Sequence, residues 1–393
     1  MLRGVPPPPL QVIVCEPYFS GSHRAWAEGL AAHSRHDVRL VTHAGGFWKW
    51  RMQGAALTLA AEIRRLVDGW GRPDVLVVSD MVHLPALLGL ARDVLVGVPV
   101  VAYFHENQLT YPLPEGSAAD ETYAMTNWLT MAAADRVVFN SAYHRDDVLA
   151  ALPRLLRRFP DHRHTGLVDE VAARCEVLPV GIDAERFTGS RPDGDGDGGG
   201  GPPVVLWNHR WEYDKDPATF FDALREVAAE GVDFRLAVAG ERYQTVPPAF
   251  EQAQADFADR LVWFGMAPVA DYPALLRRAD VVVSTARHEF FGVAVLEAIT
   301  AGALPILPRR LSYPELVPSP DPFLYDDEPG AAGPTLVDRL RWSLTHPDAR
   351  RAAAHAAATH ALRFAWPQVA PHYDTLFTHL TAAEVTGDLG GSP

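Results

Sequence analysis

Four polar residues in a row follow a strand-like stretch at FHENQLTYP, residues 104–112. The preceding GVPVVAY is typical of a buried strand, so His105, Glu106, Asn107 and Gln108 stand where such a strand ends. A buried polar group without a partner costs about 1–3 kcal/mol, so these side chains need partners or water. They either line a ligand site or brace a loop, and the pattern leaves both interpretations open.

Two carboxylates flank a helix start in HEFFGVAVLEAITAG, residues 288–302, directly after the strand-like DVVVST. Glu289 lies at the strand's end, Gly292 and Val293 fall where the helix would begin, and Glu297 lies about one turn into it. The N–H groups at a helix start attract anions, a glycine there lets a phosphate approach, and a carboxylate one turn on can bind a sugar diol. The alternative is a helix cap and a surface charge.

A cationic pair follows another strand in WNHRWEYDKDP, residues 207–217. Arg210 can form two parallel hydrogen bonds and Lys215 acts as a point charge, so both could converge on one diphosphate. The alternative is a solvated loop in which Asp214 and Asp216 pair with Lys215.

Small residues stand between the first strand and the first helix in EPYFSGSHRAW, residues 16–26. Gly21 and Ser22 form a second candidate anion loop there. Together, the three patterns resemble those of the family-4-like GT-B glycosyltransferases.

Strand-like runs alternate with helical patterns in both halves of the chain, which predicts α/β structure with two doubly wound parallel sheets. Two such domains that face each other bind ligands in a cleft at the carboxyl ends of their strands. Helices are predicted at 23–34 and 55–70. The predicted strands are 11–15, 38–42, 75–79, 98–104, 136–140, 204–208, 234–240, 260–264, 280–285 and 304–307.

The glycine-rich segment SRPDGDGDGGGGPP, residues 190–203, predicts a flexible linker between a first domain at 1–189 and a second at 204–364. It contains an EF-hand-like run of aspartates, but the twelfth position is Val204 rather than Glu, so we predict no bound ion. The aspartates concerned are Asp193, Asp195 and Asp197.

The net charge of −14 argues against indiscriminate binding of nucleic acid, although the charge is uneven. Residues 1–188 hold 18 Lys/Arg and 21 Asp/Glu, against 17 and 28 in residues 189–393, so the first half could present a local basic face. Two cysteines cannot form a disulfide framework, which fits a reducing cytoplasm, and no apolar run is long enough to span a membrane. Neither a dinucleotide-binding glycine fingerprint nor a Walker A motif is present.

The strings EPYFSGSHRAW, FHENQLTYP and WNHRWEYDKDP resemble the tRNA-queuosine α-mannosyltransferase branch of the family-4-like GT-B glycosyltransferases, and the resemblance covers almost the whole chain. The chain departs from the wider family's patterns in three places. Gly21-Ser22 replaces Gly-Gly, His209-Arg210 replaces Gly-Arg, and EFFG replaces Glu-Gly-Phe-Gly. The stretch at 364–377 resembles the family's last helix, which returns to the first domain, so residues 365–385 are expected to complete that domain.

This resemblance implies a retaining transfer of mannose from GDP-mannose to a hydroxyl on the queuosine base at the anticodon of aspartate tRNA. It implies no metal cofactor, because protein cations stabilise the leaving diphosphate. Catalytic roles would fall to His105, Glu289, Arg210 and Lys215. The donor would be bound by Gly21, Ser22, Arg210, Lys215, Gly292, Val293 and Glu297, and the acceptor by Glu106, Asn107, Gln108 and Tyr111.

The acceptor leaves alternatives open. Two basic stretches of the first domain, residues 35–51 and 154–164, are candidates for contact with tRNA, and the first of them interleaves three aromatic residues with Lys49 and Arg51. The overall acidity favours a small or lipid-linked acceptor instead. A non-catalytic module that binds nucleotide sugar or RNA is a third interpretation, against which the complete set of candidate catalytic residues argues.

Overall fold

The computed structural model describes residues 8–112, 120–191, 201–242, 246–328 and 330–387. The chain divides into two compact units. The first runs to Ile182 and is completed by the chain from Trp366 onward, and the second spans Asp183–Ala365. The first unit is therefore discontinuous in sequence.

A parallel sheet lies at the centre of the first unit. Its strands, in the described part of the chain, are β1 (Gln11–Phe19), β2 (Asp37–Ala44), β3 (Val75–Ser79), β4 (Val100–Phe104), β5 (Arg136–Phe139) and β6 (Cys175–Val177). Their order across the sheet is β2-β1-β3-β4-β5-β6, and every pairing is parallel. All residues of β3 and β4 are buried, as expected for central strands covered on both faces. The five strands predicted for this half are confirmed, whereas the short β6 was not predicted.

Helices flank this sheet. In the described residues they are α1 (Gly21–His33), α2 (Trp48–Trp70), α3 (Leu84–Leu90), α4 (Arg92–Leu95), α5 (Glu121–Ala133), α6 (Ala142–Leu156) and α7 (Leu167–Ala172), with α16 (Trp366–Gly387) from the end of the chain. Helix α2 begins at Trp48, earlier than the predicted start at Ala55. Its first turn therefore contains aromatic and basic residues that the prediction had placed before the helix.

The second unit has the same plan. Its described elements are α8 (Ala184–Phe187), β7 (Val204–Trp207), a 3₁₀ turn (Tyr213–Lys215), α9 (Pro217–Ala229), β8 (Arg235–Ala239), α10 (Ala249–Asp256), β9 (Leu261–Gly265), α11 (Tyr272–Arg278), β10 (Val281–Val283), α12 (Val293–Thr300), β11 (Leu304–Pro308), α13 (Tyr313–Leu316), β12 (Leu324–Tyr325), α14 (Leu336–Thr345) and α15 (Pro347–Ala361). The sheet has the order β12-β11-β10-β7-β8-β9 and is parallel. The five predicted strands of this half are confirmed. Among the described residues no helix combines the length and the apolar character needed to cross a membrane.

The boundary between the units lies earlier in the chain than the predicted one after Gly189. The short helix α8 contacts α11 and α12, so the chain already belongs to the second unit there. Two hydrogen bonds of 2.8 Å from the Arg191 guanidinium to Asp280 fix the segment that follows. Residues 192–200, and with them Asp193, Asp195 and Asp197, lie outside the described residues, so the linker at 190–203 stays a prediction.

Helix α16 is fixed to the first unit by aromatic side chains. The indole of Trp366 lies against Gly29 and Gly181, where an added Cβ atom would come within 2.1 Å and 2.3 Å of the ring, so no larger residue fits at either position. The Tyr373 hydroxyl donates to Pro179 O at 3.1 Å and accepts from Trp26 Nε1 at 3.1 Å. The last helix thereby orients Trp26, whose ring contacts His105.

Candidate active site

Polar side chains meet at the carboxyl ends of four adjacent strands of the first unit. Glu16 lies in β1, and Asp80, His105 and Asn140 directly follow β3, β4 and β5. All four are at least 93% buried. The strand order makes them neighbours, at the edge of a doubly wound sheet where such folds bind ligands.

His105 is held from several sides. Its backbone N–H donates to Asp80 Oδ1 at 2.8 Å, and its carbonyl accepts from Asn140 Nδ2 at 2.8 Å. The rings of Trp26 and Tyr103 contact its imidazole edge to face, each at 4.8 Å between centroids. Burial lowers the pKa of His105 well below its usual value, so the ring is neutral at physiological pH. Its Nε2 has no hydrogen-bond partner within the described residues, which leaves one polar atom for a ligand.

His23 and Glu16 form a buried ion pair beside His105. His23 Nδ1 lies 2.9 Å from Glu16 Oε2, and Glu16 Oε1 accepts from Tyr18 N at 2.8 Å. Burial lowers the pKa of His23, but the charge and hydrogen bond of Glu16 outweigh that effect and raise the pKa to about 9. The pair is therefore ionic at neutral pH, with the imidazolium stacked on His105 at 4.1 Å between centroids.

The same three side chains could hold a metal ion. Ligand atoms of Glu16, His23 and His105 lie within 4.8 Å of one another, and two imidazoles with a carboxylate are donors that zinc accepts. However, His23 is protonated at neutral pH and would have to lose a proton before one of its ring nitrogens could bind a metal ion. The ion pair satisfies Glu16 and His23 without a metal.

The loop after β4 combines bracing residues with accessible ones. Asn107 is fully buried, its Oδ1 accepts from the backbone N–H groups of Leu109 and Thr110, and its Nδ2 donates to Thr110 Oγ1 at 3.0 Å. For Asn107 the geometry therefore favours the bracing role that the sequence left open, rather than the predicted contact with an acceptor. Gln108 donates from Nε2 to Glu106 Oε1 at 3.0 Å, and both side chains are partly exposed.

Tyr111 lies near the end of the same loop and is partly exposed. The backbone of Gln108 is fixed by Asn127, whose Oδ1 accepts its N–H at 2.8 Å and whose Nδ2 donates to Asp80 O at 2.9 Å. Asn127 on α5 thus connects the loop to the end of β3. No sequence pattern indicated this role.

Gly21 and Ser22 are the first two residues of helix α1, whereas the sequence predicted them in a loop before a helix that starts at His23. Gly21 has φ +50°, a left-handed conformation that a residue with a side chain adopts only at a cost, and both residues are exposed. The preceding Ser20 has extended backbone and its side chain does not cap the helix.

A buried lysine organises the site of the second unit. Lys215 Nζ donates to His288 O at 2.7 Å and lies 3.2 Å from Asp214 Oδ2 and 3.4 Å from Glu289 Oε2. Burial lowers the pKa of Lys215, but the charges of Glu289 and Asp214 outweigh that effect and raise the pKa. Burial likewise raises the pKa of Glu289, yet the charge of Lys215 brings it down to about 2. Both groups are ionised at neutral pH.

Arg210 is a solvent-accessible cation of the site around Lys215. Its side chain is 45% exposed and Nη2 lies 3.3 Å from Glu212 Oε2. Its positive charge acts on the pKa values of both Lys215 and His288, so the predicted Arg/Lys pair does share one region. The alternative pairing is realised in part, because Asp214 contacts Lys215 whereas Asp216 accepts from Arg287 and Thr219.

Helix α12 begins where the sequence predicts, with Gly292 at its N-cap and Val293 as its first residue. Gly292 has φ +96°, and an added Cβ atom would lie 3.2 Å from Leu316 Cδ1, so the position requires glycine. The Glu289 carboxylate accepts from Phe291 N at 3.4 Å and thus lies beside the helix start. Both a backbone anion site and an ionised carboxylate are therefore available at one end of α12.

Glu297 lies on α12 in a polar cluster that the sequence only partly indicated. Its Oε2 accepts from the Tyr272 hydroxyl at 3.1 Å, and that hydroxyl accepts from Asn208 Nδ2 at 3.3 Å. Burial raises the pKa of Glu297 to about 7, in spite of the hydrogen bond from Tyr272. Asn208 belongs to the WNHRWEYDKDP string, whereas nothing in the sequence singled out Tyr272.

Two further histidines, His209 and His288, lie near Lys215. Burial and the charge of Lys215 lower the pKa of each to about 4, so both rings are neutral. Among the groups of this site described above, the positive charge is therefore carried by Arg210 and Lys215 and not by the two histidines. Together with the α12 N-terminus these cations can stabilise a diphosphate, while Glu289 and Glu297 can accept hydrogen bonds from hydroxyl groups.

Family models match both units. The model described as tRNA-queuosine alpha-mannosyltransferase N-terminal matches residues 11–182, and the model of glycosyl transferases group 1 matches residues 197–357. A tRNA-queuosine alpha-mannosyltransferase from Drosophila melanogaster is 35% identical over 312 residues, which cover 78% of this chain and 81% of that protein. The chain belongs to the tRNA-queuosine alpha-mannosyltransferase family. The resemblance in the three sequence strings is thus confirmed, and the chain is a glycosyltransferase.

A mannosyltransferase with a different name matches the chain at lower identity. The GDP-mannose-dependent alpha-(1-6)-phosphatidylinositol dimannoside mannosyltransferase from Mycobacterium tuberculosis is 25% identical over 339 residues, which cover 84% of this chain and 78% of that protein. The tRNA-queuosine mannosyltransferase family is thus the nearer of these two relationships.

Solved structures confirm the fold class. Anabaena HepE, crystallised with UDP and glucose, matches with a TM-score of 0.66 at 16% identity, covering 94% of this chain and all of that one. A sucrose-phosphate synthase from Thermosynechococcus elongatus matches with a TM-score of 0.68 at 17% identity, covering 95% of this chain and all of that one. The fold of this tRNA-queuosine mannosyltransferase family member is GT-B, with two Rossmann-like domains.

Proposed function

We propose that the enzyme transfers mannose from GDP-mannose to a hydroxyl of the queuosine base at the anticodon of aspartate tRNA, with retention at the anomeric carbon. The observation that carries this proposal is the 35% identity, over 78% of the chain, with a relative named tRNA-queuosine alpha-mannosyltransferase. The strings EPYFSGSHRAW, FHENQLTYP and WNHRWEYDKDP, which resemble that branch, contain many of the candidate site residues, and HEFFGVAVLEAITAG contains the others.

The second unit binds the donor in this proposal. Arg210 and the amides of Gly292 and Val293 hold the diphosphate, and Lys215 adds its charge from the buried side of the site. Arg210 is exposed and can contact the diphosphate directly, whereas Lys215 is buried and contributes a charge held in place by its neighbours. Glu297 accepts hydrogen bonds from the ribose diol.

Transfer proceeds through an oxocarbenium-like transition state in which negative charge develops on the departing diphosphate. Groups fixed before the reaction stabilise that charge, and one such donor is typically worth about 10²–10³ in rate. Lys215 is preorganised by three contacts, and Glu289 is held ionised by Lys215. Glu289 can therefore accept hydrogen bonds from hydroxyls of the transferred sugar throughout the reaction.

His105 contacts the transferred sugar through Nε2. Support for this role comes from its neutral ring, its fixed backbone and the absence of another partner for Nε2 among the described residues. Gly21 and Ser22 present backbone amides at the start of α1 to the donor. The acceptor is contacted by Glu106, Gln108 and Tyr111, whereas the predicted acceptor residue Asn107 braces their loop.

No metal cofactor is part of this proposal, because Arg210, Lys215 and the α12 amides provide the positive charge. The two cysteines are free, and Cys15 is buried, which suits a protein that acts in the reducing cytoplasm. A lipid-linked acceptor is the second candidate, since a GDP-mannose-dependent phosphatidylinositol dimannoside mannosyltransferase matches 84% of the chain at lower identity.

Incubation of the purified enzyme with total tRNA and one nucleotide sugar at a time tests the proposal. Mass spectrometry of the digested nucleosides should show a hexose added to queuosine with GDP-mannose and not with UDP-glucose. A control with Glu289→Gln, which keeps the shape of the side chain but not its charge, should give little product. Transfer to a lipid or small glycan with none to tRNA would overturn the proposal in favour of the second candidate.

A further inference from the structure

An exposed phenylalanine begins helix α2. Phe47 is 84% exposed and has φ +51° and ψ +47°, a left-handed conformation that is unfavourable for an aromatic residue. Its carbonyl accepts from Trp50 N at 2.9 Å and Arg51 N at 3.1 Å, so the backbone starts the helix while the ring projects into solvent. Glycine or asparagine would hold this turn better. The fold does not need this ring, and an unfavourable residue in such a position points to a function.

A second exposed ring lies one turn away. Trp50 is 63% exposed, and an added Cβ atom at Gly54 would lie 3.0–3.4 Å from three atoms of its indole. The indole therefore covers the helix backbone at Gly54, where the missing side chain leaves room for it. One face of the ring is supported by the helix and the other is open, so the ring is fixed in place before any ligand arrives.

Two basic residues, Lys49 and Arg51, flank Trp50 in the sequence. Lys49 is exposed, and its Nζ lies 5.5 Å from the ring centroid of Trp48 and 6.0 Å from that of Tyr123. Arg51 donates to Ala44 O at 3.2 Å and is partly exposed. The first turn of α2 contains no acidic residue. This surface, formed by residues 47–51, is called the aromatic–basic platform.

We propose that the aromatic–basic platform binds unpaired bases and phosphates of the tRNA substrate. Unpaired bases stack on flat aromatic rings, and flanking cations pair with the phosphates, which is the chemistry this surface offers. A positively charged platform on a chain with net charge −14 also selects a polyanion over most protein surfaces. The inference rests on the proposed function, in which the modified base belongs to an RNA loop.

The other basic stretch of the first unit, residues 154–164, lacks these features. Phe159 packs against the core rather than standing free, Arg158 pairs with Glu121, and Arg163 donates to Phe159 O at 2.9 Å. The basic residues of this stretch can pair with phosphates, but the stretch, which lies wholly within the described residues, presents no exposed Phe, Tyr or Trp ring on which a base could stack. Of the two stretches that the sequence offered, the structure favours residues 47–51.

Equilibrium binding of fluorescently labelled aspartate tRNA to the full chain tests the platform. Trp50→Ala should weaken binding about five- to hundredfold, the range found when a stacking ring is removed. Trp50→Phe should recover most of the loss because it retains a ring. The matched control is Leu57→Ala, which removes another exposed apolar side chain from the same helix and should leave binding unchanged.

Phe47→Gly separates a binding role from a structural one. Glycine relieves the left-handed backbone, so the thermal midpoint should stay the same or rise while tRNA binding weakens. Lys49→Gln should reduce the slope of log K against log salt by about 0.7, the value for one phosphate contact on a single strand. A loss of stability in parallel with a loss of binding would assign Phe47 to the fold instead.

Failure of the platform and failure of the proposed function give different results. If Trp50→Ala binds tRNA as the wild type does, the platform is excluded even though mannose transfer continues. If the platform variants lose tRNA binding while the wild type transfers no mannose to tRNA, the platform stands and the proposed reaction falls. A dimer of the wild type that Trp50→Ala dissociates, with tRNA binding intact, would show that a second copy covers this surface and would overturn the inference.

Discussion

The imidazole rings of His23 and His105 lie 4.1 Å apart between centroids, tilted by 34°, and carry different charges. His23 is held as an imidazolium by Glu16, whereas burial and the neighbouring positive charge keep His105 neutral. A charged ring stacked on a neutral one is stable here because Glu16 is fully buried and directed at His23. The first unit thus contains a neutral imidazole stacked on a charged one.

This relationship predicts a pH-dependent stability. His23 has a folded-state pKa of about 9, above its ordinary value near 6.5, so its stabilisation is complete below pH 6.5 and is lost as the pH rises through 9. The carboxylates that raise its pKa are Glu16, Asp80 and Glu106. In Glu16→Gln, the thermal midpoint should fall by roughly 5 °C or more at pH 6.5 and approach that of the wild type at pH 9.5.

Differential scanning calorimetry across this pH range measures the effect. The control is Glu28→Gln, which removes an exposed carboxylate that pairs with Arg24 on α1, the helix that also contains His23. Its profile should parallel that of the wild type at every pH. A profile for Glu16→Gln that also runs parallel would show that the charge of His23 does not depend on Glu16.

His105→Ala should lower turnover by about 10²-fold or more, since it removes a fixed partner of the reacting sugar. Affinity for GDP should change only slightly, because the proposed cationic contacts of the nucleotide, Arg210 and Lys215, belong to the second unit. Steady-state kinetics and calorimetry with GDP provide the two readouts. His372→Ala, an exposed histidine of α16, is the control. Near-normal turnover of His105→Ala would leave His105 with a structural role alone.

The sequence predicted the fold well because the sheets are made of strongly apolar runs. The strand VPVVAYF and the strand DVVVST are buried on both faces, and such runs are visible without any contact information. The two strands that were not predicted, β6 and β12, have three and two residues and are too short to show a pattern. Likewise, the start of α2 at Trp48 was missed, because its first turn is rich in aromatic residues rather than helix formers.

Binding of GDP should need Arg210 but no divalent cation. Affinity measured by calorimetry should be the same with and without EDTA, and Arg210→Ala should weaken it about tenfold, as expected for a charged hydrogen bond. Arg225→Ala is the control, since that guanidinium pairs with Asp222 and Asp256 on the same unit. Affinity that vanishes on chelation would contradict the metal-free proposal.

Lys215→Ala should reduce both GDP affinity and stability. The variant leaves Glu289 and Asp214 without their cation, and a buried carboxylate that loses its partner is strongly destabilised. The thermal midpoint of Lys215→Ala should therefore fall, whereas that of Arg210→Ala should not, because Arg210 is exposed. If a variant that combines Arg210→Ala with Lys215→Ala binds GDP as the wild type does, neither cation contacts the diphosphate.

Glu297→Gln should weaken GDP binding and raise stability. Glu297 has a pKa of about 7, above its ordinary value near 4.5. Its burial therefore does not destabilise the free protein below pH 4.5, where the carboxyl is protonated in both states, and it lowers the free energy of unfolding most above pH 7, where the buried group is ionised. Without nucleotide at pH 8, the variant should gain about 1–3 kcal/mol in the free energy of unfolding.

The nucleotide affinity of the wild type should also fall below pH 7, as Glu297 gains a proton and loses an acceptor for the ribose diol. Glu297→Gln should lack this pH dependence. The control is Glu226→Gln, an exposed carboxylate on α9 of the same unit. A stable variant that binds GDP as tightly as the wild type at pH 8 would remove Glu297 from the donor site.

The sequence identified most of the candidate site but not its supporting contacts. Residues in long polar strings, such as His105 and Arg210, were visible because polarity at a strand end is unusual. Asp80 and Tyr272 were not, since each is a single polar residue whose importance depends on which strand or helix lies beside it. The role of Asn107 was ambiguous for the same reason, because only the loop geometry shows that its amide is used locally.

The dependence of mannose transfer on queuosine tests the central claim most directly. Transfer from GDP-mannose would be measured to aspartate tRNA that carries queuosine and to the same tRNA with unmodified guanine. A site built to bond a hydroxyl discriminates strongly against a substrate that lacks it, so we predict transfer to the first tRNA and none detectable to the second. Equal transfer to both tRNAs, or transfer to neither, would contradict the account.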